Sequence, residues 1–179
     1  MAESIEWEEV GRKTAYSKYS QTIQRRDFRL PNGVLDEFYI RVEKAGACAL
    51  ALTVDNRVIT VSRYRPGPKL VLRELPGGQV DPGENPRETA VRELLEETGY
   101  AGEPDDWVGT WLTDSYTDSD RTIVIVRNCA KVAEPQLEHN EFGEVVLLDV
   151  PDFVRQVRAG MLTDTAGALL ALDHLGLLA

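Results

Sequence analysis

The stretch from Gly78 to Tyr100, GQVDPGENPRETAVRELLEETGY, constrains this chain more than any other. It sets a glycine-bearing loop before a helix whose two ends are both written in the sequence. Asn85 suits the N-cap, Pro86 suits the first helical position where its missing N–H costs nothing, and Glu88 completes a capping-box spacing. Gly99 supplies the stop. About 100° of rotation per residue puts Val91, Leu94 and Leu95 on one face and Glu93, Glu96 and Glu97 on the opposite one. Like charges at i, i+3 and i+4 oppose helix formation by roughly a few tenths of a kcal/mol per pair. A hard divalent cation such as Mg²⁺ offsets that repulsion, because it takes oxygen ligands from one or two carboxylates, water and phosphates. For three glutamates taken alone, a solvated acidic face is the alternative.

The spacing reaches beyond the helix. Gly78 is followed after five residues by Glu84, after seven more by Arg92-Glu93-Leu94, then after one by Glu96-Glu97 and after one by Gly99-Tyr100. This pattern resembles the Nudix box, the signature of hydrolases that cleave a nucleoside diphosphate linked to another group. Only Tyr100 departs, standing where the family usually has an aliphatic residue. The resemblance implies an α/β (α+β) fold, the Nudix α/β/α sandwich with a mixed sheet. It also implies that Glu93 and Glu97 are the main metal ligands, that Glu96 is a shared or bridging ligand, and that the carbonyl of Gly77 completes the shell. Mg²⁺ is the implied cofactor, with Mn²⁺ as a substitute. Arg92 and Glu84 are expected to pair and fix the loop against the helix.

Composition excludes several classes. The chain has 179 residues, 42% hydrophobic and 28% charged, and no apolar run long enough to span a bilayer. Its acidic start, MAESIEWEEV, lacks the positive and apolar segments of a signal peptide, so cytoplasmic residence and no membrane partner are expected. A net charge of −10 argues against nucleic acid, which needs clustered Lys and Arg. It also opposes an anionic diphosphate, so a metal and a few local arginines must overcome the repulsion. Cys48 and Cys129 both follow or lie in apolar runs and read as small core hydrophobes, with no zinc spacing.

Residues Glu6 to Glu43 alternate polar and apolar around Pro31-Asn32-Gly33, a hairpin signal, and the region 1–43 reads as a small N-terminal antiparallel sheet preceding a hydrolase domain over 44–179. An appended sheet of this kind resembles the ADP-ribose pyrophosphatase and nucleoside diphosphate sugar hydrolase branch, where it packs across a homodimer and its aromatics stack on the base. Tyr19 is the candidate stacker; an ordinary packed strand aromatic is the other reading, and Trp7 and Tyr16 read as structural. ACALALTV and RVITVSRY are strands, the first central. RYRPGP resembles the Gln-Tyr-Arg segment of the same branch, which implies substrate contact by Arg65, with Arg63 beside it. A guanidinium fork suits a diphosphate; an exposed strand-end arginine is the bland alternative.

Downstream, Glu103-Pro104-Asp105-Asp106 reads as a turn, RTIVIVRNCAKV and VVLLDV as strands, and Pro151 opens a helix to about Arg158. Thr163 or Asp164 caps a last helix that turns Leu169, Leu170, Leu172 and Leu175 to the sheet. In the resembling branch a glutamate in the loop before the last strand is the base or an extra metal ligand. Glu141 is favoured, Glu138 is second, and Glu144 is also available. Two features depart from strict ADP-ribose specificity: Tyr116 stands where a proline is usual, and Arg121 follows Ser119-Asp120 where a glutamate is usual. Arg121 meets a substrate phosphate or points to solvent. The expected activity is metal-dependent hydrolysis of a nucleoside diphosphate sugar, such as ADP-ribose or GDP-mannose, to a nucleoside monophosphate and a sugar phosphate. The alternatives are a non-catalytic nucleotide-sugar sensor and a hydrolase of dinucleoside polyphosphates or nucleoside triphosphates.

Overall fold

A computed structural model describes residues 5–19, 21–137 and 142–178. The chain divides into two compact units, one made of residues up to Lys44 together with Leu112–Ser119, the other of Ala45–Trp111 and Asp120 onward.

The smaller unit is a sheet of order β1-β2-β3-β9. β1 (Glu8–Lys18), β2 (Gln21–Arg29) and β3 (Leu35–Val42) are antiparallel neighbours, and the two-residue β9 (Thr117–Asp118) adds in parallel to β3. The Asn-Gly hairpin forms between β2 and β3: Gly33 takes φ +80° and Asn32 Oδ1 accepts from the Val34 N–H at 3.1 Å. Trp7, Phe28 and Phe38 form an aromatic cluster with ring centroids 5.0 to 6.0 Å apart. The sequence did not announce β9. It is held by ionic contacts of Arg41 with Asp114 at 2.9 Å and of Arg26 with Asp118, and by the Arg41 N–H donating to the Tyr116 carbonyl at 2.8 Å.

The larger unit is built on β4 (Gly46–Thr53), every residue of which is buried. The sheet runs β11 (Glu144–Asp149), β5 (Arg57–Arg65), β4, β10 (Asp120–Lys131), β8 (Tyr100–Leu112); β6 (Leu70–Glu74) pairs with β5 and β7 (Gly77–Gln79) with β4. β4 is parallel to β10 and antiparallel to β5 and β7, so the sheet is mixed. Alternation along β4 decides what packs on each side. Cys48, Leu50 and Leu52 join Ile123, Ile125, Phe153 and Leu172 in one core, against α2 (Val150–Arg158) and α3 (Thr165–His174). On the other face Ala47, Ala49 and Ala51, with Val124 and Val126, meet Ala90 and Leu94 of α1 (Pro86–Thr98). The alanines let α1 lie close to the sheet. Its glutamates are thereby brought down beside β7.

Four expectations need correction. Strand β8 runs straight through Glu103-Pro104-Asp105-Asp106. It lies at the end of the sheet order, where Pro104 breaks no central ladder, and Asp105 is tied to Arg127 while Arg87 donates to the Pro104 carbonyl at 2.7 Å. On α3 the buried positions are Gly167, Ala168, Ala171 and Leu172, with Leu169 and Leu170 exposed. The reason is Trp111: a Cβ on Gly167 would meet its ring at 2.4 Å, so the small residues face inward where the bulky indole already fills space. Asp164 stands at the N-cap of α3 without capping it by its side chain, which is engaged elsewhere. On α1 the predicted faces are rotated: Leu95 is 40% exposed, while Glu97 is 4% exposed, in line with buried Ala90, Leu94 and Thr98.

Candidate active site

The α1 ends form as the sequence specified. Asn85 accepts from the N–H groups of Arg87 and Glu88, both at 3.0 Å, and the Glu88 carboxylate accepts from the Asn85 N–H at 2.9 Å. Gly99 is left-handed with φ +73°, and its carbonyl accepts from the N–H groups of Val132 and Ala133. A Cβ there would stand 2.0 Å from the Ala133 carbonyl oxygen, so glycine is required by space as well as by conformation.

Between those ends, Arg92 and Glu84 form a two-pronged pair, Nε to Oε1 at 2.9 Å and Nη2 to Oε2 at 3.1 Å. The guanidinium holds the Glu84 carboxyl down at about 2, helped by the Thr89 hydroxyl, which donates at 2.7 Å. The same guanidinium donates through Nη1 to Glu93 and Glu96, each at 2.8 Å. One arginine thus gathers three carboxylates of loop and helix, and half-exposed Glu96 is drawn to it.

Glu93 and Glu97 converge on the Gly77–Gly78 pair. A Cβ on Gly78 would lie 2.2 Å from Glu93 Oε1, so that carboxylate rests directly against the backbone. Glu97 Oε2 accepts from the Gly77 N–H at 3.1 Å, and its Oε1 lies 2.6 Å from Arg63 Nη2. Burial pushes the Glu97 carboxyl up to about 7, Arg63 and the Gly77 N–H pull the other way, and the Glu93 charge adds to the rise. A leucine would satisfy this buried helix position at no such cost.

Among the described residues no three His, Cys, Asp or Glu side chains converge as a metal-holding group. Glu93 and Glu97 both lie against the Gly77–Gly78 backbone. Hard oxygen donors in that number fit a Mg²⁺-type ion, which fills its remaining positions with water and substrate phosphate. Of the expected base candidates, Glu141 and Glu138 lie outside the described residues, and Glu144 is exposed at the start of β11, paired in register with Ser62.

Arg63 and Arg65, at the end of β5, line a cavity of about 230 Å³ with Tyr64, Phe142 and Gly143. Arg65 pairs with Glu74, which is 1% exposed and also accepts from the Thr163 hydroxyl at 2.6 Å. Glu74 escaped the sequence reading, although a signal was there: strand alternation in LVLRE puts it on the same side as buried Leu72. A buried carboxylate demands a cation, and Arg65 is nine residues away across the β5–β6 pair. Arg121 is partly exposed and is tied to the protein: its Nε lies 2.7 Å from buried Asp164, and its guanidinium lies over Gly46, where a Cβ would meet it at 2.9 Å. In the smaller unit, Tyr19 sits at the β1–β2 turn with φ 53°, 92% exposed, with the Lys18 ammonium over its ring. It is therefore not packed within the sheet of its own chain.

A capped helix that presses two carboxylates onto a glycine pair, braced by an arginine fork to the preceding loop, defines a class of protein. The NUDIX domain model matches residues 42–166, and the chain belongs to that family. Among individual relatives, it is 27% identical over 157 residues to the methanol dehydrogenase activator of Bacillus methanolicus, covering 87% of this chain and 84% of that one. It is 26% identical over 167 residues to the ADP-ribose pyrophosphatase of Bacillus subtilis strain 168, covering 92% and 90%. A crystal structure of an ADP compounds hydrolase superposes with a TM-score of 0.75 over 98% of this chain and 100% of that one, at 18% identity, a likeness of fold.

Proposed function

We propose that this protein hydrolyses the diphosphate linkage of a nucleoside diphosphate sugar, of the ADP-ribose type, to a nucleoside monophosphate and a sugar phosphate. The observation that carries the reading is the convergence of Glu93 and Glu97 on Gly77–Gly78, in a chain that aligns along nine-tenths of its length with an ADP-ribose pyrophosphatase. Mg²⁺, or Mn²⁺ in its place, is the proposed ion, held by Glu93 and Glu97 with Glu96 and the Gly77 carbonyl as further donors. When bound, such an ion neutralises phosphate charge and orients the attacking water.

The chain's own residues do the rest. Arg92 holds Glu84, Glu93 and Glu96 in one arrangement. Arg65, braced by Glu74, offers its fork to a substrate phosphate at the cavity mouth, with Arg63 beside it. Glu141, or Glu138, takes the proton from water. Tyr19 stacks on the base. The N-terminal sheet, with exposed Val10, Leu35 and Tyr39, is the proposed homodimer surface. No helix among the described residues is long and apolar enough to cross a membrane.

A panel of nucleoside diphosphate sugars with Mg²⁺ tests the proposal. Release of a nucleoside monophosphate and a sugar phosphate is expected. No turnover of any member, or turnover unchanged in Glu97→Gln, overturns it, and release of pyrophosphate from nucleoside triphosphates assayed alongside points to a triphosphate substrate instead.

A further inference from the structure

Two arginines contact the box carboxylates, and they do so in different ways. Arg92 meets Glu84 with two aligned nitrogens, the geometry of a permanent brace. Arg63 meets Glu97 with one nitrogen at 2.6 Å, and that buried nitrogen has no aligned hydrogen-bond acceptor among the described residues. The contact rests on a single nitrogen, without the second, parallel bond that fixes the Arg92–Glu84 pair. Glu97 does not depend on it for position, because its other oxygen is held by the Gly77 N–H. The Arg63 side chain is only 12% exposed. Its side chain already forms part of the wall of the cavity of about 230 Å³ that Arg65, Tyr64 and Phe142 share. A guanidinium leaving Glu97 has space to enter and a second cation already there to reinforce.

We propose that Arg63 is a tethered counter-ion that neutralises Glu97 in the metal-free protein, and that it gives up this carboxylate to the divalent ion and turns into the cavity beside Arg65. The inference rests on the metal site of the proposed function and goes beyond it, because it makes one residue respond to both occupants. While Arg63 covers Glu97, the ion competes with a positive charge that cannot diffuse away. Its apparent affinity is reduced by the fraction of molecules in which the contact is made. Once Arg63 has moved, two forks in place of one face the position proposed for the diphosphate. Arg63 is thus a positioning residue that links filling of the metal site to readiness of the phosphate site.

The test is Mn²⁺ titration by calorimetry, without substrate, at about pH 8.5 where ordinary carboxylates are fully ionised. Arg63→Gln, which keeps length and polarity but removes the charge, is expected to bind Mn²⁺ about tenfold more tightly than the wild type, and Arg63→Lys to remain near wild type. A measurement on the unaltered chain guards against a variant that fails to fold: the Arg63 side-chain nitrogen signals in the NMR spectrum are expected to shift and broaden on addition of Mg²⁺, as the guanidinium leaves its carboxylate. Equal or weaker Mn²⁺ binding by folded Arg63→Gln, or Arg63 signals unmoved at saturating Mg²⁺, overturns the proposal. These readouts need no turnover. A protein that passes them and cleaves no nucleotide sugar refutes the proposed activity alone, and one that cleaves but fails them refutes only the role of Arg63.

Discussion

Glu84 and Arg92 hold each other by two parallel hydrogen bonds, 2.9 and 3.1 Å long, and so tie the glycine loop to the middle of the helix that follows it. Replacing Arg92 with lysine keeps the charge and loses the fork. Glu84, Glu93 and Glu96 then lose their common donor, and activity is expected to fall by about 10²-fold through misplacement of the carboxylates, with the fold retained. Because Arg92 lowers the Glu84 carboxyl to about 2, this pair stabilises the protein above the ordinary carboxylate range and is lost as pH falls through about 2. Acid-unfolding curves of wild type and Glu84→Gln check the sign: the variant should be less sensitive to acid in that window.

The opposite sign holds for Glu97. Burial raises its carboxyl to about 7, so between the ordinary range near 4.3 and that value the metal-free folded protein binds more protons than the unfolded chain. Its contribution therefore weakens as pH rises through this window and is level above it. Thermal melts with a chelator present, across about pH 4 to 8, should show this slope, and Glu97→Gln should flatten it. The same substitution is expected to lower turnover by several orders of magnitude.

Gly77 and Gly78 are neighbours with separable roles. A Cβ on Gly77 meets the Ala47 carbonyl at 2.5 Å and Cys48 at 2.7 Å, so Gly77→Ala forces β7 off β4 and should cost about 1–3 kcal/mol of stability in denaturant unfolding. A Cβ on Gly78 meets only the carboxyl end of Glu93. Gly78→Ala should leave stability nearly unchanged and weaken Mn²⁺ binding, read by calorimetry.

Glu74 is buried with two partners, Arg65 and Thr163. Glu74→Gln keeps the volume and the Thr163 contact but releases Arg65, the proposed phosphate contact. Steady-state kinetics should show KM raised and kcat little changed, and Arg65→Ala should lose most of the remaining discrimination.

Much of this was legible beforehand, for physical reasons that differ between elements. The limits of α1 could be read because capping is a local matter, decided by Asn85, Glu88 and Gly99 within one turn of themselves. β4 could be read because a strand covered on both faces is apolar throughout. Which helix face is buried was misjudged because period alone assumes that carboxylates seek water, and Glu97 has instead a backbone N–H and Arg63 to meet it. Partners on separate elements, Arg121 with Asp164 and Arg63 with Glu97, were hidden for the same reason: each charge is explained only by another element. Tyr116 stands out in the sequence as a departure from a family proline, while in the structure its carbonyl accepts from Arg41 and its neighbour Thr117 starts β9.

β9 carries one more consequence. The outermost strand of the N-terminal sheet is drawn from residues that follow the box helix in the chain, so the sheet cannot be finished when its first three strands have been made. During synthesis a three-stranded sheet with an open edge at β3 must wait while some seventy further residues emerge, β4 through β8 and the whole of α1 among them. The amino-terminal part is thus the first to be translated, yet it is completed only after the box helix has emerged. A nascent chain arrested before Asp118 should expose that edge, and its tendency to pair with another chain should disappear once β9 has been added.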